Sequence, residues 1–287
     1  MKDTVQAIIE ALGAKERELG FDNRSSWFSV LPAGSGSLGV ELSRSELLAA
    51  VEKGLPGFSI VGSAPGLVEM RSTSGETALF HLSGSGADTV LWTVASVADI
   101  RREPDHSSEL LSQAIMGETM TALERRGDWF RVRMEDDYHG WVRSWHVAET
   151  PKAEVQRYRS EAGACVAASV GYVRSGPEED RIPVSDVTAG TILVARPAGE
   201  GLVTVVLPGG KSGFFRAGLL CAPAVAGDAR KRITDRAMSF SGIPYVWGGT
   251  SAKGFDCSGL VKRVFLMEGI RLPRDASQQA GIGEYIG

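Results

Sequence analysis

The chain has 287 residues, 43% of them hydrophobic, which is enough for two to four domains that each bury a core. Its 31 basic and 35 acidic residues give a net charge of −4, and this balance argues against a nucleic-acid partner. No apolar run approaches the ~20 residues of a membrane span, and the first residues lack the apolar stretch of a secretory signal, so we expect a cytoplasmic protein.

The first 92 residues predict a small α+β region. Apolar residues from Val5 to Leu19 follow one face of an opening helix. A capping box at Ser43–Glu46 predicts a second helix, which Gly54 would end. Three apolar stretches then predict strands, at residues 58–61, 67–71 and 77–82. No pattern here indicates chemistry, so we expect this region to brace the domains that follow.

Cysteines and glycine-rich stretches give no sign of a cofactor. Cys165 and Cys221 lie near the two ends of one predicted module and can approach each other, but reduced core thiols are the favoured reading. The glycine-rich stretches at 33–37 and 83–86 are not followed by the Gly-Lys-Ser/Thr of a phosphate-binding loop. We expect no metal and no cofactor.

An internal repeat organises the middle of the chain. The stretch from Gly117 to Arg143 is matched, after a shift of 73 residues and without a gap, by the stretch from Gly190 to Arg216. Alternating apolar residues in both copies predict short, half-buried strands. We therefore predict two small barrels, at residues 93–150 and 163–224, with a linker at residues 151–160.

The first copy carries a recognisable signature. Gly-Asp-Trp-Phe-x-Val at residues 127–132 and Gly-Trp-Val at residues 140–142 resemble bacterial SH3-like domains. The second copy lacks these tryptophans, so its assignment as an SH3-like barrel rests mainly on the repeat.

One cysteine near the C-terminus stands at the start of a predicted helix. The run Phe255–Val261 (Phe-Asp-Cys-Ser-Gly-Leu-Val) leads into a helical pattern over residues 258–268, and Gly269 would end it. A thiol at a helix N-terminus meets the positive end of the helix dipole and unpaired N–H groups, both of which stabilise a thiolate. A lone thiol is more often an inert packing residue. The polar, glycine-containing flanks of Cys257 nevertheless favour a nucleophile.

Three segments around this cysteine carry a family resemblance. They are Pro-Tyr-Val-Trp-Gly-Gly at 244–249, Phe-Asp-Cys-Ser-Gly-Leu-Val at 255–261 and Leu-Pro-Arg-x-x-x-x-Gln at 272–279. In this order and spacing they resemble the NlpC/P60 family, papain-like cysteine peptidases that cut bacterial cell-wall peptides. The resemblance covers residues 229–280. It implies that residues 229–287 are the N-terminal part of a papain-like α+β domain, in a multidomain chain that is otherwise mostly β, with two SH3-like barrels and the small N-terminal region.

The resemblance implies roles for four residues. Cys257 is the expected nucleophile, and the phenol of Tyr245 is an expected oxyanion-hole donor. Asp256 and Ser258 are expected substrate contacts. From the residues alone, Tyr245 would more often be a half-buried core tyrosine and Asp256 a helix N-cap, although Asp256 can hold both roles.

Two loop residues of the first barrel extend the resemblance to one subfamily. Glu103 begins a long loop and Tyr138 ends a tight turn, thirty-five residues apart. This arrangement resembles the YkfC-like γ-D-glutamyl-L-diamino acid endopeptidases, whose first SH3-like domain closes one end of the active-site groove. The resemblance implies that Glu103, Tyr138 and Asp256 hold the free amine of an N-terminal L-alanine. Taken singly, Glu103 would be a solvated charge and Tyr138 an ordinary turn aromatic.

The sequence departs from the family in two places. The family's histidine follows the cysteine by some tens of residues, and such a base is needed to take the proton of the thiol. The four histidines here all precede the motif: His81, His106, His139 and His146. Many relatives also carry a serine where this chain has Ala276, and whether Ser277 replaces it stays open.

From this we expect an inactive fragment of a longer chain. The predicted helix needs a sheet to cover its apolar face, and no strand-rich segment follows it. We expect four side chains of that face to be exposed: Leu260, Val261, Val264 and Phe265.

The sequence thus predicts a hydrolase of murein peptides. Cys257 would attack the amide after γ-D-glutamate in L-Ala-γ-D-Glu-diamino acid fragments and form a thioester that water resolves. The alternatives are a papain-like amidase or acyltransferase, and a non-catalytic protein that binds peptidoglycan through its barrels. The diamino acid and the oligomeric state are not predicted.

Overall fold

The computed structural model describes residues 10–15, 18–19, 28–33, 37–42, 58–64, 67–72, 77–82, 89–222 and 229–282. The chain divides into two compact units, Met1–Ala87 and Asp88–Gly287. Among the described residues no helix is long and apolar enough to cross a membrane.

The first unit holds a five-stranded sheet. Its strands are β1 (Phe28–Ala33), β2 (Ser37–Leu42), β3 (Phe58–Ala64), β4 (Leu67–Ser72) and β5 (Thr77–Leu82), in the order β1-β2-β5-β4-β3. β2 and β5 are parallel, and the other neighbours are antiparallel. The three predicted strands are confirmed as β3, β4 and β5, whereas β1 and β2 were not predicted. Residues 10–15 of the predicted opening helix are helical, and the predicted helix at 43–54 lies outside the described residues.

The second unit begins with a seven-stranded antiparallel sheet, called the first sheet below. Its strands are β6 (Thr89–Thr93), β7 (Val97–Arg101), β8 (Leu110–Ile115), β9 (Thr119–Arg126), β10 (Trp129–Met134), β11 (His139–Arg143) and β12 (Val147–Pro151). Their order is β12-β6-β9-β10-β11-β7-β8. In β10, Phe130, Val132 and Met134 are buried and alternate with two less buried arginines, which is the pattern of a strand with one face in a core.

A second seven-stranded sheet follows and repeats the first. Its strands are β13 (Ala164–Val166), β14 (Val170–Arg174), β15 (Pro183–Thr188), β16 (Ile192–Gly199), β17 (Leu202–Val206), β18 (Ser212–Arg216) and β19 (Leu220–Cys221). The order is β15-β14-β18-β17-β16-β13-β19, which is the order of the first sheet read from the other edge. The sequence repeat is therefore a repeat of topology as well.

Helices connect and follow the sheets. The predicted linker is a helix, α1 (Lys152–Glu161). Beyond the second sheet come α2 (Ala229–Ser239), α3 (Cys257–Met267) and α4 (Ala276–Gln279), with the short pair β20 (Thr250–Ser251) and β21 (Gly254–Phe255) before α3. The predicted cysteine helix is confirmed as α3. It ends before Gly269, whose φ of 77° is left-handed and suits a glycine.

The second sheet helps to cover α3, and this corrects the expectation of an exposed helix face. Val264 and Met267 are buried in one cluster with Cys165 and Ala189, and Leu260 packs against that cluster partly buried. Only Val261 of the four expected residues is exposed. The expectation was wrong because it looked for the cover only after the helix, whereas strands from earlier in the chain supply apolar contacts.

Candidate active site

Cys257 is the first residue of α3, and its side chain is exposed. The Asp256 side chain caps the helix by accepting a hydrogen bond from the backbone N–H of Gly259 at 2.7 Å. The helix therefore starts at the nucleophile because the residue before it satisfies an otherwise unpaired N–H group.

The carboxylate of Asp256 lies in a buried network. Arg274 donates through Nη1 to Oδ1 at 3.2 Å and through Nη2 to Oδ2. The backbone N–H of Gly248 donates to Oδ2 at 3.0 Å, and the Ser258 hydroxyl lies 3.3 Å from Oδ1. Arg274 is only 2% exposed and also donates to the Ser258 hydroxyl at 2.9 Å. The negative charge of Asp256 is thus matched by a guanidinium, and the capping role is certain from the geometry.

The third motif braces this helix start from outside. Arg274 holds Asp256 and Ser258, and Gln279 donates through Nε2 to the carbonyl of Ser258 at 3.1 Å. The same Gln279 nitrogen lies 2.9 Å from the carbonyl of Pro273. The spacing Arg-x-x-x-x-Gln therefore places two donors on the first turn of α3. We did not assign these roles from the sequence, although the motif itself was visible.

The Tyr245 segment lies beside the cysteine. Val246 donates its N–H to the carbonyl of Phe255 at 3.0 Å, and Asp256 donates its N–H to the carbonyl of Gly249 at 3.0 Å. Tyr245 and Trp247 are each 63% exposed, so both rings stand at the surface rather than in a core. This placement does not fit the half-buried core tyrosine that the residues alone suggested.

A glutamate of the first sheet holds Trp247. The indole Nε1 donates to Oε1 of Glu109 at 2.9 Å, and Arg102 donates through Nε to Oε2 of the same carboxylate at 2.8 Å. Glu109 was not predicted. Its signal in the sequence is weak, because it is one of several charges on the long loop that also carries Glu103.

The residues expected to hold an amine are only partly brought together. Tyr138 is 3% exposed, and its hydroxyl donates to Oδ1 of Asp275 at 3.2 Å. Asp275 directly follows the Arg274 that pairs with Asp256, so Tyr138 and Asp256 reach neighbouring residues without a hydrogen bond between them. Glu103 is exposed, and its backbone N–H donates to the Ser108 hydroxyl at 2.8 Å.

Buried polar contacts join the first sheet to the strands before α3. Gln113 of β8 accepts hydrogen bonds at its side-chain oxygen from the N–H of Thr250 at 3.2 Å and from the hydroxyl of Ser251 at 2.8 Å. Arg263 of α3 pairs with Glu118 at 2.8 Å, and Lys262 pairs with Asp136. The nucleophile helix is therefore held in register with the first sheet.

Glu135 joins three parts of the second unit. It accepts hydrogen bonds from Thr119, from Arg159 of α1 at 2.7 Å and from Arg271 beyond α3 at 2.6 Å. Burial alone would raise the pKa of this carboxyl, but the three hydrogen bonds outweigh burial and lower the pKa to about 2. Glu135 is thus ionised wherever the protein is folded near neutral pH.

The described histidine side chains all belong to the first sheet or its loops. His106 faces Arg143 and the ring of Trp129, and His139 and His146 lie in β11 and just before β12. Burial lowers the pKa of His146. In the part of the chain that the structure describes, no hydrogen bond joins one of these imidazoles to the thiol of Cys257.

Two family models match parts of the chain. Residues 242–286 match the NlpC/P60 family, and residues 100–147 match the bacterial dipeptidyl-peptidase SH3 domain. The matched SH3 segment lies within the first sheet, and the NlpC/P60 segment contains Cys257 and all three motifs.

Curated relatives and a solved structure agree with these matches. A γ-D-glutamyl-L-lysine dipeptidyl-peptidase of Bacillus cereus is 26% identical over 204 residues, which are 67% of this chain and 60% of the relative. Dipeptidyl-peptidase 6 of Lysinibacillus sphaericus is 26% identical over 194 residues, 64% of this chain and 71% of the relative. A crystal structure of an NlpC/P60 family protein from Bacillus cereus has a TM-score of 0.61 at 21% identity and covers 69% of this chain and 78% of its own, which shows a shared fold. The chain spans about 60% of the length of the first of these relatives.

Proposed function

Because the C-terminal part of this chain belongs to the NlpC/P60 family and follows a bacterial SH3-like domain, we propose that the protein is a cysteine peptidase of cell-wall peptides. Its reaction is hydrolysis of the amide between γ-D-glutamate and an L-diamino acid. The observation that carries the proposal is the exposed thiol of Cys257 at the capped start of α3, with loops of the first sheet reaching the same end of the helix.

The chemistry begins at the thiol. The Cys257 sulfur attacks the γ-glutamyl carbonyl and forms a tetrahedral oxyanion, for which the Tyr245 phenol is the proposed donor. Collapse expels the amine of the diamino acid and leaves a γ-glutamyl thioester. Water then cleaves the thioester and restores the thiol. A general base must take the thiol proton and return it to the leaving amine.

The proposed substrate has a free N-terminal L-alanine. Glu103 and Tyr138 come from loops of the first sheet, while Asp256 and Ser258 come from the start of α3. Two carboxylates and a phenol at one end of a groove complement an ammonium, and an N-acylated substrate would leave them without that cation. In this arrangement the first sheet is an SH3-like barrel that closes the groove, and the second sheet is a second barrel of the same kind.

A cleavage assay with three substrates tests the proposal. The purified protein is incubated with L-Ala-γ-D-Glu-L-Lys, with its N-acetylated form and with intact sacculi. We expect release of lysine from the free peptide, much slower release from the N-acetylated one, and none with Cys257→Ala. Glu103→Ala should narrow the gap between free and blocked peptides.

Other outcomes would contradict the proposal in distinct ways. Equal turnover of free and N-acetylated peptides would indicate a general wall hydrolase. Retention on sacculi with no turnover of either peptide would favour a non-catalytic wall-binding protein.

A further inference from the structure

The hydroxyl of Tyr138 has a fixed partner. It donates to Oδ1 of Asp275 at 3.2 Å and lies 3.5 Å from Oδ2. The backbone around the tyrosine is also held, since Asp137 before it has a φ of 61° and the Tyr138 carbonyl accepts from the N–H of Met134 at 2.8 Å. The ring is buried, so the direction of the hydroxyl is set by this environment.

This partner decides which hydrogen-bonding role the phenol can offer to a substrate. A phenol has one hydrogen and two acceptor positions, whereas an ionised carboxylate only accepts. The hydrogen between Tyr138 and Asp275 therefore belongs to the tyrosine and points at the carboxylate. The tyrosine oxygen can then offer only an acceptor to a third group. An ammonium is a donor only, and it matches this polarity.

Asp256 is less suited to set this polarity. Its carboxylate is bound by the guanidinium of Arg274 and by the N–H groups of Gly248 and Gly259. The carboxylate that actually meets Tyr138 is Asp275, which also caps α4 through a reciprocal capping box with Gln278. Asp275 thus couples the turn of the first sheet to the segment that braces α3.

We propose that Asp275 is a positioning residue for substrate specificity. It holds the Tyr138 hydroxyl with its oxygen as an acceptor toward the N-terminal ammonium of the peptide, so that the free amine is preferred over a blocked one. This inference rests on the proposed function and names a residue that the sequence reading did not assign.

Binding measurements in a Cys257→Ala background separate this role from turnover. Calorimetry gives the Kd of L-Ala-γ-D-Glu-L-Lys and of its N-acetylated form, and the ratio of the two Kd values is the discrimination. Asp275→Ser keeps a capping residue at the start of α4 but has too short a side chain to reach the tyrosine. We expect it to reduce the discrimination by about tenfold or more, the usual worth of a hydrogen bond to a charged group. Asp275→Asn is the conservative control, because its amide oxygen still accepts from Tyr138 and caps the helix, and it should retain most of the discrimination.

A double-mutant cycle shows whether Asp275 acts through Tyr138. Tyr138→Phe removes the hydroxyl, so Asp275→Ser should cause little further loss in that background. Equal losses from Asp275→Ser with and without the hydroxyl would overturn the inference, as would an unchanged discrimination in Asp275→Ser. Should the serine variant fail to fold by circular dichroism, Asp275→Thr offers the same comparison with another capping residue.

The starting protein distinguishes failure of the inference from failure of the proposed function. If the Cys257→Ala protein itself binds free and blocked peptides equally, the amine-specific function is wrong and the inference falls with it. If that protein discriminates and Asp275→Ser does so equally well, only the inference is wrong. Discrimination should also decline as pH rises above about 8, where a peptide α-amino group loses its charge.

Discussion

The two seven-stranded sheets share one topology but make different contributions to the site. Their strands follow the same order, and β7–β11 begin 73 residues before β14–β18. The first sheet supplies polar side chains that reach the site, whereas the second supplies buried apolar side chains such as Cys165 and Ala189 under α3. Topology therefore survives where backbone geometry demands it, and function is carried by side chains on loops and strand ends that are free to differ.

Equivalent positions make the difference concrete. Moving 73 residues along the chain replaces every first-sheet residue that contacts the site or its helix. Glu103, Glu109, Gln113, Glu118, Glu135, Asp136 and Tyr138 correspond to Gly176, Ile182, Asp186, Thr191, Pro208, Gly209 and Lys211. Gly140 corresponds to Gly213, and this glycine is kept. The repeat thus retains a position of backbone packing and none of the polar contacts.

The largest expected effect contrasts the thiol of α3 with the thiol of the second sheet. Burial, and then the neighbouring Cys221 thiol, raise the pKa of Cys165 to about 12, whereas Cys257 is exposed. At pH 8 the thiolate fraction of Cys165 is then on the order of 10⁻⁴, and the thiolate is the form that alkylates. Limiting iodoacetamide followed by mass spectrometry should label Cys257 at least ~100-fold faster. In urea this difference should disappear, and faster labelling of Cys165 in the folded protein would contradict the assignment of Cys257 as nucleophile.

A second prediction concerns Glu135, whose counterpart in the second sheet is Pro208. A folded-state pKa of about 2 against an ordinary 4.5 corresponds to about 3 kcal/mol of stability when the carboxyl is ionised. Because the folded pKa is the lower one, this contribution is complete above pH 4.5 and is lost as pH falls toward 2. Urea unfolding should show Glu135→Gln less stable than wild type at pH 7, with the two converging toward pH 2.

An exposed carboxylate provides the control for Glu135. Glu161 lies 3.5 Å from Arg196, and both side chains are at least half exposed. Glu161→Gln should change the unfolding free energy by less than about 1 kcal/mol at any pH, because exposed ion pairs contribute little. A pH-independent difference between Glu135→Gln and wild type would show that the charge is not the cause.

The third prediction tests the glycine that both copies keep. A Cβ on Gly140 would lie 2.9 Å from the carbonyl oxygen of Arg101, and one on Gly213 would lie 2.8 Å from Val173 and still closer to the carbonyl of Arg174. Gly140→Ala and Gly213→Ala should each cost about 1–3 kcal/mol of unfolding free energy, since the added carbon meets backbone that cannot easily move. Thermal unfolding measures this. Gly163→Ala, at a position with open space, is the control and should be nearly neutral.

Much of this could be read from the sequence because the signals are local. Strand alternation located β9–β11 and β16–β18, and the apolar spacing after Cys257 located α3. The partners of Tyr138 and Trp247 could not be read, because these contacts join residues more than 130 positions apart. The cover of α3 was missed for the same reason. Local patterns identify elements, whereas the packing of distant elements decides which side chains meet.

The smallest expected effect concerns Glu109 and its counterpart Ile182. Glu109 accepts from the indole of Trp247 and pairs with Arg102, while Ile182 is 77% exposed. Glu109→Ala should cost about 1 kcal/mol, because the ion pair is partly exposed and one hydrogen bond is lost. Glu109→Gln keeps an acceptor for the indole and should cost less. Ile182→Glu, which writes the first-sheet residue into the second sheet, should change neither stability nor peptide binding, since no indole faces that position among the described contacts. A stability gain in Ile182→Glu equal to the loss in Glu109→Ala would show that the carboxylate acts within its own sheet and not through Trp247.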